Sequence, residues 1–241
     1  MSSPCGTGAS RTAPCGSARR CRGSSNYADL VTRAETKITA EVSPESGFRR
    51  RLLDGMVEAL RERGYRDTTV ADVVRHARTS RRTFYEHFSS KQDCFIAVLS
   101  EWNRRTIERI YAAVDVTAPW QVQIRQAVEA WIASSEEDLT ISLAWIRESP
   151  AMGDSARVQH HEEAEAFIGL IENLTASPKF HTAGLHPPTR QMATILYGGY
   201  RELIASTIEA GEPISAITDV AVETALAVIG PRYTARDTMP D

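Results

Sequence analysis

From Phe48 onward apolar residues recur at helical spacing, and turn-forming residues interrupt the recurrence. Phe48, Leu52, Leu53, Met56, Val57 and Leu60 share one helical face, and Gly64 stands where a glycine ends a helix. Thr69 precedes Val70, Val73, Val74 and Ala77, with Asp72 three residues on as in a capping box, which predicts a short second helix to about Ala77. After a tight turn at Arg78 and Thr79, Ser80 is placed to cap a third short helix. Its buried side is Phe84 and Phe88, with Arg81, Arg82, Thr83, Tyr85 and His87 largely outward. Ser90 and Asp93 open a longer fourth helix whose core face is Phe95, Val98, Leu99, Trp102 and Ile110. Helical segments follow at 120–134, 139–148, 155–176, 189–210 and 215–229, punctuated by prolines and glycines.

The pattern predicts an all-α fold. Two short helices joined by a tight turn, the second with basic and hydroxyl residues near its start, form a helix-turn-helix within a three-helix N-terminal domain at 48–92. A second helical domain then occupies 93–241. Residues 1–47 read as a mostly disordered extension, since the first 25 are Ser, Gly, Ala, Arg and Cys with almost nothing large and apolar to bury. A loosely helical stretch between Tyr27 and Val42 suggests an accessory helix, and a true start downstream of Met1 would give the same tail.

Composition is that of an ordinary globular chain: 241 residues, 42% hydrophobic and 24% charged. The longest apolar runs are far shorter than the roughly 20 residues a bilayer span needs, and arginines and glycines stand where a signal peptide would be apolar. A cytoplasmic protein without a membrane partner is expected. Cys5, Cys15 and Cys21 fit no metal-binding spacing, so no metal and no cofactor are expected.

Charge changes the picture more. The net charge is only -3. Residues 48–91 nevertheless carry eleven Lys or Arg against six Asp or Glu, whereas 92–241 carries eleven against twenty-one. A basic module on an acidic body is the layout expected when one end meets a polyanion.

The run from Thr68 to Val74, followed by Ala77 to Lys91 with its Phe-Tyr-x-His-Phe core, closely resembles the tetracycline-repressor (TetR) family over about residues 48–100. The family usually places Ala-Gly-Val-Ser at the turn. Here Ala77-Arg78-Thr79-Ser80 replaces it, so Arg78 must take a left-handed conformation or shift the turn. The resemblance implies a regulator that binds double-stranded operator DNA as a dimer, with a repressor released by a small effector as the expected form. Thr68 or Thr69 and Lys91, at helix N-termini, would hold phosphates. Arg81, Arg82 and Thr83 would read bases in the major groove, with Arg78 and Ser80 beside them. Tyr85 matches a backbone-contacting position, and His87 is open between that role and a structural one. Arg49, Arg50 and Arg51, just ahead of the first helix, either reach a phosphate or the minor groove as basic arms do or form a solvated helix start.

In the acidic body, Gly198 and Gly199 inside a helical pattern, with Val220, Ala221 and Val228 on the last helix, suggest a homodimer interface made by the last two helices. Trp102, Trp131, Trp145, Met152, Phe167, Met192, Tyr197 and Tyr200 are candidates for the lining of a pocket for an apolar effector, although each such residue is more often plain core. His160 and His161, adjacent on a helix, point about 100° apart and read as a solvated face. No phosphate-binding glycine loop, nucleophile elbow or HExxH is present, so an enzyme is not expected. The alternative is an all-helical small-molecule-binding protein or enzyme with a vestigial DNA-binding head.

Overall fold

The computed structural model describes residues 44–148, 153–176 and 178–231. These fall within one compact unit, Ser43–Asp241. The expected tail, its cysteines, the accessory helix and Met152 lie outside the described residues. Every regular element among the described residues is helical: α1 (Pro44–Asp67), α2 (Val70–His76), α3 (Arg81–His87), α4 (Lys91–Ala113), α5 (Trp120–Glu136), α6 (Leu139–Arg147), α7 (Gly153–Thr175), α8 (Pro178–Thr182), α9 (Arg190–Glu209), a 3₁₀ turn (Ile214–Ile217) and α10 (Thr218–Ile229).

Boundaries follow local chemistry. Helix α1 begins four residues ahead of Phe48, at Pro44, whose fixed φ and missing N–H suit a first helical position. It is interrupted at Gly64, where φ of 71° and ψ of 171° turn the chain. Thr69 caps α2 in a reciprocal capping box with Asp72, and the hydroxyls of Ser80 and Ser90 cap α3 and α4 by accepting from Thr83 N–H and Asp93 N–H. The short α8 has no counterpart in the sequence reading, because five residues are too few to show a helical period.

Helix α1 packs against α2, α3 and the N-terminal half of α4. Leu52, Met56, Val73, Phe84 and Phe95 are fully buried there, and Tyr65 stacks on Phe95 at 4.3 Å. Helix α4 then runs without a break past residue 92 into the helical body, where Ile110 is buried against the other helices. At 1.5 Å per residue it is about 34 Å long. The body is tied back to α1 by Arg61, which donates to Asp138 Oδ2 at 2.9 and 2.6 Å. Asp138 in turn caps α6 through Ile141 N–H.

Helices α1 and α2 approach closely at Gly55. A Cβ there would lie 2.6 Å from the Val73 carbonyl oxygen and 2.9 Å from the Ala77 amide nitrogen. Both are backbone atoms, so the helices would have to part. Gly55→Ala is expected to destabilise the protein by about 1–3 kcal/mol, read as a lowered unfolding midpoint in urea. An unchanged midpoint would show that α1 and α2 do not pack this closely.

Candidate functional site

The basic module presents the turn and α3 on its outer surface. Arg78 takes the left-handed conformation, with φ of 49°, and no other non-glycine among the described residues has a positive φ. The turn is closed by Arg78 N–H to Arg75 C=O at 3.3 Å and Thr79 N–H to Val74 C=O at 3.0 Å. Holding a left-handed arginine costs roughly 1–2 kcal/mol, and it leaves that side chain exposed beside α3. Arg81, Arg82 and Tyr85 are exposed, while Thr83 and His87 are half-buried. Among the described residues neither Arg78 nor Arg81 has a carboxylate partner. Arg82 meets Glu86 one turn along at 3.1 Å, with both side chains well exposed, and such a pair is weak enough for a stronger acceptor to displace. Phe84 and Phe88 are buried beneath this surface, with ring centroids 5.8 Å apart, and hold α3 in place.

Several expected contacts fall elsewhere. Thr68 is buried, and its hydroxyl donates to Gly64 C=O at 2.7 Å and Ala59 C=O at 3.1 Å, closing the end of α1. It cannot reach a phosphate; Thr69, exposed at the cap of α2, remains. The Lys91 ammonium points inward, 2.8 Å from the carbonyl oxygens of Tyr65 and Thr68 and 4.4 Å from the Tyr65 ring. Burial lowers its pKa. Lys91 therefore latches the end of α1 to α4. Arg49, Arg50 and Arg51 are not an arm: they sit within the first turns of α1. Arg49 lies over Phe88 at 5.4 Å, Arg50 pairs with Asp54 at 3.1 Å and approaches Glu101 at 3.8 Å, and Arg51 covers Phe48.

The body encloses a narrow cavity of about 90 Å³ among α4, α5, α7, α8, α9 and α10. Four expected residues line it: Trp131, Phe167, Tyr197 and Tyr200. Trp131 stacks on Tyr200 with centroids 5.1 Å apart, and Phe167 lies tilted against Tyr197 at 5.4 Å. Three expected residues do not line it. Trp102 faces a separate charged groove between α1, α4 and α6. Trp145 forms the layer behind, its indole N–H donating to buried Glu163 at 2.8 Å and its ring beneath Arg201 at 4.5 Å. Met192 is half-buried in the first turn of α9, short of the wall. Burial pushes the Tyr197 phenol up to about 12, so it stays neutral. Among the described residues no charged side chain lines the cavity.

The sequence reading missed Gln123, Ile110 and Phe180 in that lining. Gln123 had a visible signal: it falls on the apolar stripe of α5 with Ile124, Ala127, Val128 and Trp131, where a polar side chain is out of place. Ala221, expected at a dimer interface, is buried within its own subunit and accepts the Tyr200 hydroxyl hydrogen bond. Gly198 and Gly199 are exposed, with nothing within 4 Å of a built Cβ, and Ile195 and Val220 are 68% and 50% exposed. His161 is exposed and lies 3.7 Å from Glu165; the His160 side chain is outside the described residues. Among the described residues no three His, Cys, Asp or Glu side chains group as metal ligands, and no helix is long and apolar enough to cross a membrane.

A capped helix-turn-helix with an arginine-lined reading helix, joined by one continuous helix to an all-helical body with an apolar cavity, defines the class of helix-turn-helix DNA-binding proteins with a separate ligand-sized chamber. Comparison narrows this. Residues 52–98 match the model of bacterial regulatory proteins of the tetR family. It is 29% identical over 121 residues to the HTH-type transcriptional activator FasR of Mycolicibacterium smegmatis, a match that covers 46% of this chain and about half, 54%, of that relative's length. Its fold is similar to that of the fatty acid degradation regulator FadR of Bacillus halodurans, with TM-score 0.62, 18% identity, and 76% of this chain and 99% of the other covered. It is also similar to FadR of Bacillus subtilis, solved in complex with stearoyl-CoA, with TM-score 0.59, 18% identity and the same coverage.

The capping box gives the interface a pH dependence. Hydrogen bonds from the Thr69 hydroxyl and amide hold the Asp72 carboxyl below the usual carboxylate range. A carboxyl depressed in the folded state adds stability that is complete above its unfolded pKa, near 4, and is lost as pH falls through the lower folded value. Asp72→Asn is therefore expected to melt below the wild type at pH 7 and to converge with it toward pH 3. Parallel melting curves across that range would rule out a charged cap.

Proposed function

We propose that the protein is a ligand-responsive transcriptional regulator, a repressor that binds a pseudo-palindromic operator as a homodimer and is released by a small apolar effector. The single observation that carries the reading is the exposed, unpartnered Arg81 and weakly paired Arg82 on a helix whose other face is locked by Phe84 and Phe88. An arginine fork matches the two acceptors of a guanine in the major groove, and a threonine methyl such as that of Thr83 matches thymine. Thr69, Ser80 and Tyr85 surround these residues with hydroxyls for phosphates, and the exposed Arg78 adds a cation at the groove edge.

Two recognition helices must be held about one helical turn of DNA apart, which calls for a dimer. Supporting the pairing of α9 and α10 with their partner copies are the uncovered Gly198 and Gly199, which allow close helix approach, and the exposed Ile195 and Val220. Val228, half-buried on α10, adds to that face.

The effector reading rests on the cavity. Its wall includes Ile110 of α4, the same helix whose N-terminal half carries the reading head. A ligand that moves α4 against α5 shifts the head directly, and through the Arg61–Asp138 pair it also shifts α1. The ligand needs only to favour one of two pre-existing head spacings for occupancy to change DNA affinity. The stearoyl-CoA bound by one structural neighbour is consistent with a ligand that has a long apolar portion. No step of this reading calls for catalysis, and localisation in the cytoplasm follows from its partner being DNA.

Charge reversal by Arg82→Glu is expected to leave the melting temperature within a degree or two and to lower affinity for the chain's own upstream DNA by tenfold to a hundredfold. That is the worth of one bidentate base contact. Fluorescence anisotropy with labelled duplex reads this out. Unchanged affinity in a folded variant would remove Arg82, and with it the readout by α3, from the account.

A further inference from the structure

As it stands the cavity is too small for a hydrocarbon chain. An apolar chamber of about 150 Å³ takes a single benzene ring, and this one measures about 90 Å³. A larger effector therefore enters only if part of the wall moves. Most of the wall is fixed, since α4 packs along α5 and α7, α9 along α7, and α10 along α5. Helix α8 is the exception: among the described residues no helix packs along it. Its Phe180 is 1% exposed and lines the cavity, whereas Lys179, His181 and Thr182 face solvent. The Phe180 ring lies tilted against Trp120 at 6.0 Å, which places it at the end of the chamber where α5 begins, remote from the reading head. The backbone bonds that finish α8 close within the segment: Ala183 N–H to Lys179 C=O at 3.1 Å, and Gly184 N–H to His181 C=O and Leu185 N–H to Phe180 C=O at 3.0 Å, with Gly184 at φ of 70°. Tilting α8 thus costs the apolar contacts of Phe180 and Leu185 and leaves those bonds intact.

We infer that Phe180 is the specificity-determining residue of the cavity: its ring closes the end remote from the head, and a hydrocarbon too large for the present gap enters by turning that ring and α8 outward. This rests on the effector reading above and adds which residue admits the ligand and which part of the ligand goes in. The wall offers the inserted part nothing polar to hold. The Tyr200 hydroxyl is spent on Ala221 C=O, the Tyr197 hydroxyl accepts from Arg201 at 3.4 Å, and the Gln123 amide nitrogen donates to Val116 and Ala118 C=O. A polar or charged group drawn inside would lose its hydration without compensation. The inserted part is therefore bare hydrocarbon, and any polar group the ligand carries stays at the α8 mouth.

Stopped-flow binding of the neutral apolar dye Nile red to the full chain, followed by dye fluorescence, tests this. In the wild type the observed rate is expected to level off with dye concentration, because opening at α8 becomes limiting. Phe180→Ala is expected to remove the plateau and to associate at least about tenfold faster. Val128→Ala enlarges the chamber from the packed α5 wall instead, and is expected to keep the wild-type rate. If Phe180→Ala does not fold, Phe180→Leu, which replaces the ring by a smaller side chain, is expected to raise the rate by a smaller factor. Ala127→Trp, which fills the cavity from α5, is expected to abolish binding and so place the dye. A rate unchanged in the folded Phe180 variant, or raised equally by Val128→Ala, would overturn the inference and leave the effector reading standing. No binding by the wild type and the Phe180 variant alike, or binding that survives Ala127→Trp, would overturn both.

Discussion

Helix α4 is the constraint on which the rest of the architecture depends. It is 23 residues without a break. Its first turns supply Cys94, Phe95, Val98 and Leu99 to the core under the helix-turn-helix, and its later turns supply Ile110 to the cavity. A stiff rod about 34 Å long cannot absorb a displacement at one end by local adjustment. The Lys91 ammonium locks the near end of that rod to the carbonyls closing α1, so the three head helices move with α4. The fully buried Cys94, whose thiol burial pushes up to about 12, is part of this packing and is chemically quiet.

A second link runs outside α4. Arg61 and Asp138 join α1 to the start of α6, and Arg147 near the end of α6 holds Glu202 and Glu209 of α9 at 2.7 Å each. The Arg147 pairs are part-exposed and individually worth little in stability, and the Arg61–Asp138 pair is exposed only on its arginine side. Their value is geometric, since they define which helices of the body the head follows. Behind the cavity, the buried Glu163 and Arg201 brace Trp145 from two sides. That layer keeps charge close to the chamber but out of its wall.

Much of the head was legible from the sequence because its signals are local. Capping residues, the turn glycine at Gly64 and the alternation of Phe84 and Phe88 with outward arginines each act over three or four residues. At Arg78, where the resembling family has glycine, the sequence left two outcomes, a left-handed residue or a shifted turn, and the structure has the left-handed one. What local pattern could not give was the direction of a long side chain. Lys91 and Thr68 sit where phosphate contacts would be expected, yet both turn inward because α1 ends beside them with unsatisfied carbonyls. The body shows the same limit. Large apolar residues were correctly marked as interior, but whether Trp131 or Trp145 faces the chamber depends on how α5, α6 and α9 cross. That is set by packing between segments tens of residues apart.

The segregation of charge links these observations to function. A head with a basic surface on an acidic body orients the whole molecule toward a polyanion, and the count of arginines on the head sets how steeply binding must respond to salt. The most direct measurement is equilibrium binding of the full chain to its own upstream DNA and to scrambled DNA of equal length, titrated over salt. The account predicts tighter binding to the upstream sequence at two subunits per site, with log affinity falling steeply and linearly against log salt. Equal, weak binding to both duplexes, or affinity indifferent to salt, would contradict it.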